Sequence, residues 1–271
     1  MTSENQEKIQ SLTDAALGQL SAALSAGKSD ALKHYLLVLS RFHRYSFRNQ
    51  LFIAFQRPDA TFVAGFTAWK TKFGRFVKKG EKGIFIVAPV LRKTNGSHDS
   101  DVATDKEESL VSVRAAYVFD VSQTEGKPLP ELAKVSGDPS AYSQKLLDLI
   151  AQRGIALTWE QSLAGALGCS LGNHIKVLKG LEPATEFRVL VHELAHELLH
   201  RGERRNDTTK KIRETEAEAV AYAVSTAIGL DPSSASSDYI QLYRGDAQTL
   251  TESLQFIRNV SAEIIGALVP N

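Results

Sequence analysis

The chain has 271 residues, of which 43% are hydrophobic and 23% are charged, so it has the composition of an ordinary globular protein with room for one or two domains. A single cysteine, Cys169, excludes a disulfide within the chain, and no apolar run approaches the roughly 20 residues that a membrane-spanning helix needs. With a polar N-terminus that lacks the apolar core of a signal peptide, these features predict a cytoplasmic protein with no membrane partner.

The net charge of +1 hides a strong division along the chain. Residues 28–93 contain 14 Lys and Arg against 3 Asp and Glu, so this stretch carries 14 − 3 = +11 and the remainder carries 1 − 11 = −10. A solvated basic face is the ordinary interpretation of a short charge run. An excess of Lys and Arg over a stretch of this length, interleaved with aromatic residues, instead favours a front half that binds anions. The rest of the chain is then expected to have a different role.

The front half is predicted to combine helices with a small antiparallel sheet. Apolar residues at helical spacing predict helices over 7–26, 30–42, 46–57 and 66–72. Ser46 is the expected N-cap of the third helix, and Gly74 ends the fourth. Residues 75–87 are interpreted as a strand, a tight basic turn and a strand. The strand over 84–90 is expected to pair with one over 111–121, beyond an acidic, aperiodic loop at 94–109 whose role stays open.

Flat aromatic rings are interspersed with cations in this front half. Single-stranded nucleic acid needs that combination, because cations contact phosphates and exposed rings stack with unpaired bases. At least half of the rings are nevertheless expected to belong to the core, and Trp69 is as readily a core residue as an exposed one. The candidate DNA contacts are Tyr45, Asn49, Trp69, Arg75, Lys78, Lys79 and Lys82.

Proline and glycine break regular structure from residue 123 onward, which predicts a front domain over 1–130, a linker over 131–140 and a rear domain over 141–271. Rear helices are predicted over 142–153, 212–228, 239–243 and 247–268, with a strand over 155–159. Gly172 and Asn173 predict the turn of a β-hairpin over 170–178. The expected fold class is therefore α+β with two domains, the rear one helical with a hairpin.

The most specific motif is His192-Glu193-Leu194-Ala195-His196, within a predicted helix. Positions i and i+4 lie on one face of a helix, so both imidazoles can bind one metal ion while Glu193 lies beside them as a general base. The apolar stripe of this helix faces roughly the opposite way, which favours ligands over core histidines. His200 lies too far along the helix to bind the same ion.

A third ligand is expected from the helix over 212–228, where Glu214, Glu216 and Glu218 lie near the start. Glu216 shares its face with small and apolar residues, where a carboxylate must be paired or metal-bound. It follows His196 by 216 − 196 = 20 positions, which resembles the gluzincin arrangement. We therefore predict His192, His196 and Glu216 as ligands, with Glu214 and Glu218 as alternatives. Zinc suits these donors best, and manganese or cobalt can substitute.

Ordered motifs run through both halves of the chain. They include Tyr45-Ser46-Phe47-x-Asn49-Gln50, Val77-x-Lys79-Gly80-Glu81-Lys82-Gly83, Val118-Phe119-Asp120-Val121-Ser122-Gln123-Thr124, the HExxH sequence and Glu216-Ala217-Glu218-x-Val220-Ala221-Tyr222. Together these motifs resemble the ArdC-type antirestriction proteins of conjugative plasmids. The resemblance implies an N-terminal domain for single-stranded DNA, a C-terminal metallopeptidase-like domain and a role in protecting incoming plasmid DNA from host restriction.

Neither the motifs nor the resemblance establishes that a peptide bond is cut. Two functions are therefore kept: an antirestriction factor that binds single-stranded DNA and carries the metal site, and a DNA-associated zinc metallopeptidase that cleaves a host protein. Glu193 favours the second function, since a purely structural metal site needs no base.

Overall fold

A computed structural model of the chain describes residues 3–26, 29–93, 108–128, 138–230 and 247–269. Its helices are α1 (Ser3–Ser25), α2 (Ser29–Arg41), α3 (Phe47–Gln56), α4 (Phe66–Phe73), α5 (Ser140–Gln152), α6 (Pro183–Leu199), α7 (Glu203–Asp207), α8 (Lys210–Ala227) and α9 (Ala247–Leu268). Its strands are β1 (Val63–Gly65), β2 (Arg75–Val77), β3 (Ile84–Lys93), β4 (Glu108–Asp120), β5 (Thr124–Gly126), β6 (Ala156–Glu160), β7 (Gly168–Ser170) and β8 (His174–Leu178). The predicted α+β class is confirmed. Residues 94–107, 131–137 and 239–243, for which a loop, a linker and a short helix are predicted, lie outside the described residues.

None of the described helices combines the length and the hydropathy that crossing a membrane requires. Ser46 caps α3 as predicted, since its hydroxyl accepts a hydrogen bond from the backbone N–H of Asn49 at 3.4 Å. Gly74 ends α4 with a φ of 61°, a left-handed conformation that favours glycine.

The chain forms two compact units, one of Met1–Ala16 with Leu51–Pro128 and the other of Leu17–Gln50 with Leu129–Asn271. Helix α2 belongs to the second unit, where it packs against α8 and α9. Its buried stripe of Leu32, Leu36 and Leu39 requires such a partner, because apolar residues at this spacing line one face of a helix. The division by sequence instead assigns these residues to a front domain over 1–130.

The first unit is built on an antiparallel sheet with the strand order β1-β4-β3. Strands β3 and β4 pair from Ile84 opposite Val118 to Lys93 opposite Glu108, as the sequence predicts for this pair of strands. Ile9 of α1 and Phe52 of α3 pack against Phe85 of β3 and form a small core. Strand β2 does not pair with β3 in a hairpin; it pairs with β5 in a separate sheet, so the basic segment between β2 and β3 joins two sheets.

The short 3-10 turn after β4 (Val121–Gln123) anchors that basic segment. The carboxylate of Asp120 accepts hydrogen bonds from the backbone N–H groups of Thr61, Phe62 and Ser122 at 2.8–3.1 Å. The side chain of Gln123 accepts from the N–H of Asp120 at 2.9 Å, and its amide donates to the Glu81 carboxylate and to the Lys82 carbonyl. Burial of Gln123 makes these contacts a fixed part of the fold.

The second unit contains a three-stranded sheet with the order β6-β8-β7. Strands β7 and β8 form the predicted hairpin, and both turn residues, Gly172 and Asn173, have positive φ angles of 78° and 60°. Strand β6 runs parallel to β8. Helices α6 and α8 pack on each other, and α9 packs on α8, so the two helices with the candidate metal ligands lie in the helical core of this unit.

Candidate metal centre and DNA-contacting surface

Helix α6 and helix α8 together bring three candidate ligand side chains to one point. The Nε2 atoms of His192 and His196 lie 3.1 Å apart, and Oε2 of Glu214 lies 3.5 Å from each of them. The i and i+4 spacing on α6 aligns the two rings, as the sequence predicts. The two imidazoles are largely buried, whereas 52% of the Glu214 side chain is exposed, so the cluster lies at the surface of the helical core.

The donor atoms fit a divalent cation. An ion that binds tetrahedrally at about 2.0–2.1 Å holds its ligand atoms about 3.3 Å from one another. The separations of 3.1 Å and 3.5 Å lie on either side of that value. The adjacent imidazoles of His192 and His196 also hold the pKa of Glu214 far below its usual range, so this carboxyl is ionised as a ligand must be.

Glu216, the predicted third ligand, is not part of this cluster. Its carboxylate is fully buried and accepts hydrogen bonds from Arg204 at 2.8 and 2.9 Å and from the Ser253 hydroxyl at 2.5 Å. Its Oε2 also lies 2.9 Å from Nε2 of His200. Burial raises the pKa of Glu216, but these hydrogen bonds outweigh burial and hold it below the usual range. A buried carboxylate must be paired, and here Arg204 pairs it instead of a metal ion.

Each histidine of the cluster has a partner behind its ring. Nδ1 of His192 lies 3.0 Å from Oε2 of Glu218, whose other oxygen contacts the guanidinium of Arg188. Burial raises the pKa of Glu218 to about 7. Nδ1 of His196 lies 3.0 Å from Nδ1 of His200. Such partners orient a metal-binding imidazole and set which nitrogen carries the proton.

Glu193, the predicted general base, is buried against strand β7. A Cβ atom at Gly168 would lie 2.6 Å from Cγ1 of Val189 and 2.9 Å from Oε1 of Glu193, so glycine is required for this close approach. Burial raises the pKa of the Glu193 carboxyl, which is the direction that a base acting near neutral pH requires.

The predicted DNA contacts do not form one exposed surface. The Trp69 ring is completely buried, and its N–H donates to the Phe119 carbonyl at 2.9 Å, so Trp69 is a core residue. Asn49 is buried and Tyr45 is partly buried, and both belong to the second unit. The guanidinium of Arg75 donates to the hydroxyl and the carbonyl of Thr124, which holds β2 against β5.

Lys78, Lys79 and Lys82 are exposed, as a DNA-contacting role requires, and lie on the segment Lys78–Gly83, here called the basic loop. Exposed rings flank this loop. Phe76, 53% exposed, precedes it on β2. At the other end, a Cβ atom at Gly83 would lie 2.9 Å from Cβ of Tyr117 and 3.1 Å from the ring of Phe119. The Tyr117 side chain is 51% exposed.

A further ring extends this aromatic surface. Phe66, 60% exposed, lies edge-on to Phe119 with 6.1 Å between ring centroids. The DNA contacts predicted from the sequence do not include Phe66, Phe76 or Tyr117. For Tyr117 the available signal is its alternation with Phe119 on one strand, since residues i and i+2 share a face of a strand.

Two comparisons match this chain to known proteins, one over its front part and one over nearly its whole length. Residues 6–119 match the N-terminal domain of anti-restriction factor ArdC. The metal-free crystal structure of antirestriction ArdC from the R388 plasmid is 16% identical, has a TM-score of 0.52, and the alignment covers 94% of this chain and 97% of that chain. This chain is therefore similar to ArdC by family match over residues 6–119 and by fold over nearly its whole length. The Mn(II)-bound structure of the same R388 protein is 15% identical with a TM-score of 0.51, covering 95% and 98%. A comparison with curated proteins gives no match.

One further residue beside the candidate metal centre is absent from the sequence-based prediction. Glu197, directly after His196, is buried, and its Oε1 accepts hydrogen bonds from the Ser170 hydroxyl at 2.6 Å and the Gly172 N–H at 2.9 Å. Its Oε2 accepts from the Asn173 N–H at 2.8 Å and from Arg201 at 2.7 Å. Glu197 therefore fastens the turn of the hairpin to the helix that carries the histidines. An acidic residue beside a ligand and four positions before an arginine was the available signal.

A cavity of about 460 Å³ lies between that hairpin turn and the end of α6. His196 and Glu197 form part of its wall, together with the exposed side chains of Leu171, Arg201 and Arg205. The cavity thus borders the histidine cluster at His196, on a side that carries two cations.

Proposed function

We propose that this protein is an antirestriction factor of the cytoplasm that protects incoming plasmid DNA from host restriction. Its first unit binds single-stranded DNA, and its second unit holds one divalent metal ion. The observation that carries the DNA proposal is the basic loop between exposed rings. This loop and its rings lie on the part of the chain that matches the ArdC N-terminal domain.

The chemistry of this surface suits a single strand better than a duplex. Lys78, Lys79 and Lys82 supply charges for phosphates, while Phe76, Phe66 and Tyr117 offer faces on which unpaired bases stack. In a duplex those base faces are already stacked. Gln123 anchors the loop through Glu81 and the Lys82 carbonyl, so less conformational freedom is lost when DNA binds.

The DNA proposal is tested with the full chain by measuring oligonucleotide affinity at several salt concentrations. Replacing Lys78, Lys79 and Lys82 together with alanine should weaken binding and flatten the slope of log affinity against log salt by roughly 2, since each lost phosphate contact removes about 0.7. The matched control replaces the exposed Lys179, Lys210 and Lys211 of the second unit, which changes the net charge equally. Equal losses in both variants, or equally tight duplex binding, would contradict the proposal.

The rings are tested separately from the charges. Phe76→Ala and Phe66→Ala should each cost about 1–3 kcal/mol of single-strand affinity and leave the salt slope unchanged, because stacking involves no counterion release. Both side chains are mostly exposed, so the fold should be retained. Unchanged affinity in both variants would remove these rings from the binding surface.

For the metal centre we propose His192, His196 and Glu214 as ligands. Two nitrogen donors and one oxygen donor suit zinc as the resident ion, and manganese or cobalt can replace it. The manganese-bound structure of the R388 protein supports a divalent ion in this fold. When bound, such an ion supplies Lewis-acid activation of water or of a carbonyl. Elemental analysis should find about one metal ion per chain in the wild type, and stoichiometric metal in the His192→Ala/His196→Ala double variant would refute the site.

A second function is a metallopeptidase that cleaves a host protein. The close approach of β7 to Glu193 favours it, because β7 is an outer strand of its sheet and can pair with an extended peptide beside the base. In this function Glu193 takes the proton from the attacking water. Glu193→Gln should keep the metal and lose cleavage by roughly 100- to 10,000-fold. Undiminished protection of plasmid DNA by Glu193→Gln would instead favour the non-enzymatic function.

A further inference from the structure

We propose that Glu216 and His200 are positioning residues that fix the tautomer and the orientation of His196. They do so through a buried hydrogen-bonded relay that runs from Arg204 through Glu216 and His200 to His196. The inference rests on the proposed assignment of His196 as a ligand. It gives Glu216 a role at the metal centre without direct contact with the ion.

The relay is continuous, and its two middle members are closed to solvent. Nδ1 of His196 lies 3.0 Å from Nδ1 of His200, and Nε2 of His200 lies 2.9 Å from Oε2 of Glu216. The side chains of His200 and Glu216 are both completely buried. Arg204 binds both oxygens of Glu216 and stacks on the ring of Phe256, with its guanidinium carbon 3.8 Å from the ring centroid. The position of every group in the relay is therefore set by the packing of α6, α7, α8 and α9.

The hydrogen-bonding capacities of these groups allow one proton arrangement. Glu216 receives both donors of Arg204 and is ionised, so it only accepts, and Nε2 of His200 must carry a proton. His200 is neutral, because Arg204 and Glu216 already balance each other and another buried charge would be uncompensated. Its Nδ1 is then an acceptor, and the proton between the two histidines belongs to Nδ1 of His196. Nε2 of His196 is left with its lone pair directed at the ligand cluster.

His192 is held by a shorter route, because its Nδ1 lies 3.0 Å from Oε2 of Glu218. Its Nε2 lies 3.1 Å from Nε2 of His196, and Oε2 of Glu214 lies 3.5 Å from both nitrogens, so a cation can bind among the three atoms. The outer partners of both rings therefore orient them toward one site for a positive ion.

The test uses the full chain with His200→Phe and His200→Gln. Phenylalanine keeps a ring of similar size without hydrogen bonds, while the amide of glutamine can accept from His196 and donate to Glu216. Both variants leave Glu216 paired with Arg204 and Ser253, so folding should be preserved. Ser253→Ala is the matched control, because it removes a donor to Glu216 outside the path to His196.

Two readouts are made: the tautomer of His196 by nitrogen-15 NMR in metal-free protein, and zinc affinity by competition with a chelator. We expect the Nδ1–H form of His196 in the wild type, in His200→Gln and in Ser253→Ala. His200→Phe should lose that form and bind zinc about 10- to 100-fold more weakly. Wild-type affinity in His200→Phe, or an Nε2–H form of His196 in the wild type, would overturn the relay. A wild type that binds no zinc would overturn the ligand assignment instead, and the tautomer would still decide the relay.

Discussion

Two glutamates that are two residues apart on α8 differ in almost every physical respect. Two positions correspond to about 200° of rotation around a helix, so Glu214 and Glu216 face nearly opposite ways. Glu214 is half exposed and lies against the Nε2 atoms of the histidine pair, whereas Glu216 is fully buried among donors from Arg204, His200 and Ser253. The oxygens of Glu216 are already occupied by these donors, so Glu214 is the carboxylate that can bind an ion together with the histidines.

Alanine at each of these positions should therefore have a different effect. Glu214→Ala should weaken zinc binding and leave the unfolding temperature of the metal-free protein nearly unchanged. Glu216→Ala leaves the mostly buried Arg204 guanidinium without its carboxylate and should cost about 3–5 kcal/mol of stability. Zinc titration and thermal unfolding of both metal-free variants measure the difference. Strong destabilisation by Glu214→Ala together with full metal binding would contradict this assignment.

Gly168 is a second position at which the side chain is restricted, because the space around it does not admit a Cβ atom. Alanine there would place Cβ within 2.6 Å of Val189 and 2.9 Å of Glu193, so β7 must move away from α6. We expect Gly168→Ala to lower the unfolding temperature. The matched control, Gly266→Ala, lies on the exposed face of α9 with open space around it and should stabilise by about 0.5–1 kcal/mol, as alanine does in a helix. Equal effects of both substitutions on thermal unfolding would show that β7 is not constrained by Glu193.

At the scale of elements, the 3-10 turn after β4 connects the two sheets of the first unit. Its cap, Asp120, is buried, which raises the pKa of its carboxyl. Hydrogen bonds from Ser122, Thr61 and Phe62 outweigh burial and bring that pKa below its usual range. The basic loop depends on this turn, because Gln123 bridges the turn and the loop.

The lowered pKa predicts how acid acts on the first unit. Because the folded state holds the carboxyl ionised below the unfolded pKa of about 3.9, Asp120 contributes its full stability above that value. The contribution is lost as the pH falls through the folded pKa. Asp120→Asn should therefore destabilise the protein at pH 6 and differ less from the wild type at pH 3. Urea unfolding at both pH values tests this, and a difference that grows toward pH 3 would contradict it.

At the scale of the whole molecule, the chain separates a cation-rich stretch from an acidic remainder and also separates two compact units. These two divisions do not coincide. The cation-rich residues 28–93 include α2, which packs in the second unit with α8 and α9. The basic loop, in contrast, belongs to the first unit together with the rings that flank it.

Removal of metal should therefore act on one unit only. A ligand at about 1,000 times its dissociation constant stabilises its site by about 4 kcal/mol, so a chelator should lower the unfolding temperature of the second unit. The affinity of the full chain for a single-stranded oligonucleotide should stay the same. The His192→Ala/His196→Ala variant is the control and should not respond to the chelator. A parallel loss of DNA affinity on metal removal would show that the two units are coupled.

The local features of this protein are determined by its sequence alone. Helical spacing, the Ser46 cap, Gly74 and the Gly172-Asn173 turn predict helix α3, helix α4 and the β7–β8 hairpin, all of which are confirmed. The same holds for the alignment of His192 with His196, since one helix suffices to place both rings. Each of these features depends on backbone geometry over a few residues, which periodicity and turn chemistry describe directly.

Only the tertiary structure decided which surface each side chain meets. Periodicity puts Glu216 on a small-residue face but cannot show that Arg204 and Ser253 reach that face from other elements. For the same reason the sequence cannot distinguish a buried Trp69 from an exposed one. Its packing and its hydrogen bond to the Phe119 carbonyl show that it is buried. A pattern within one helix or strand indicates that one of its faces must be buried. Which residues pack on that face depends on contacts between segments distant in the chain.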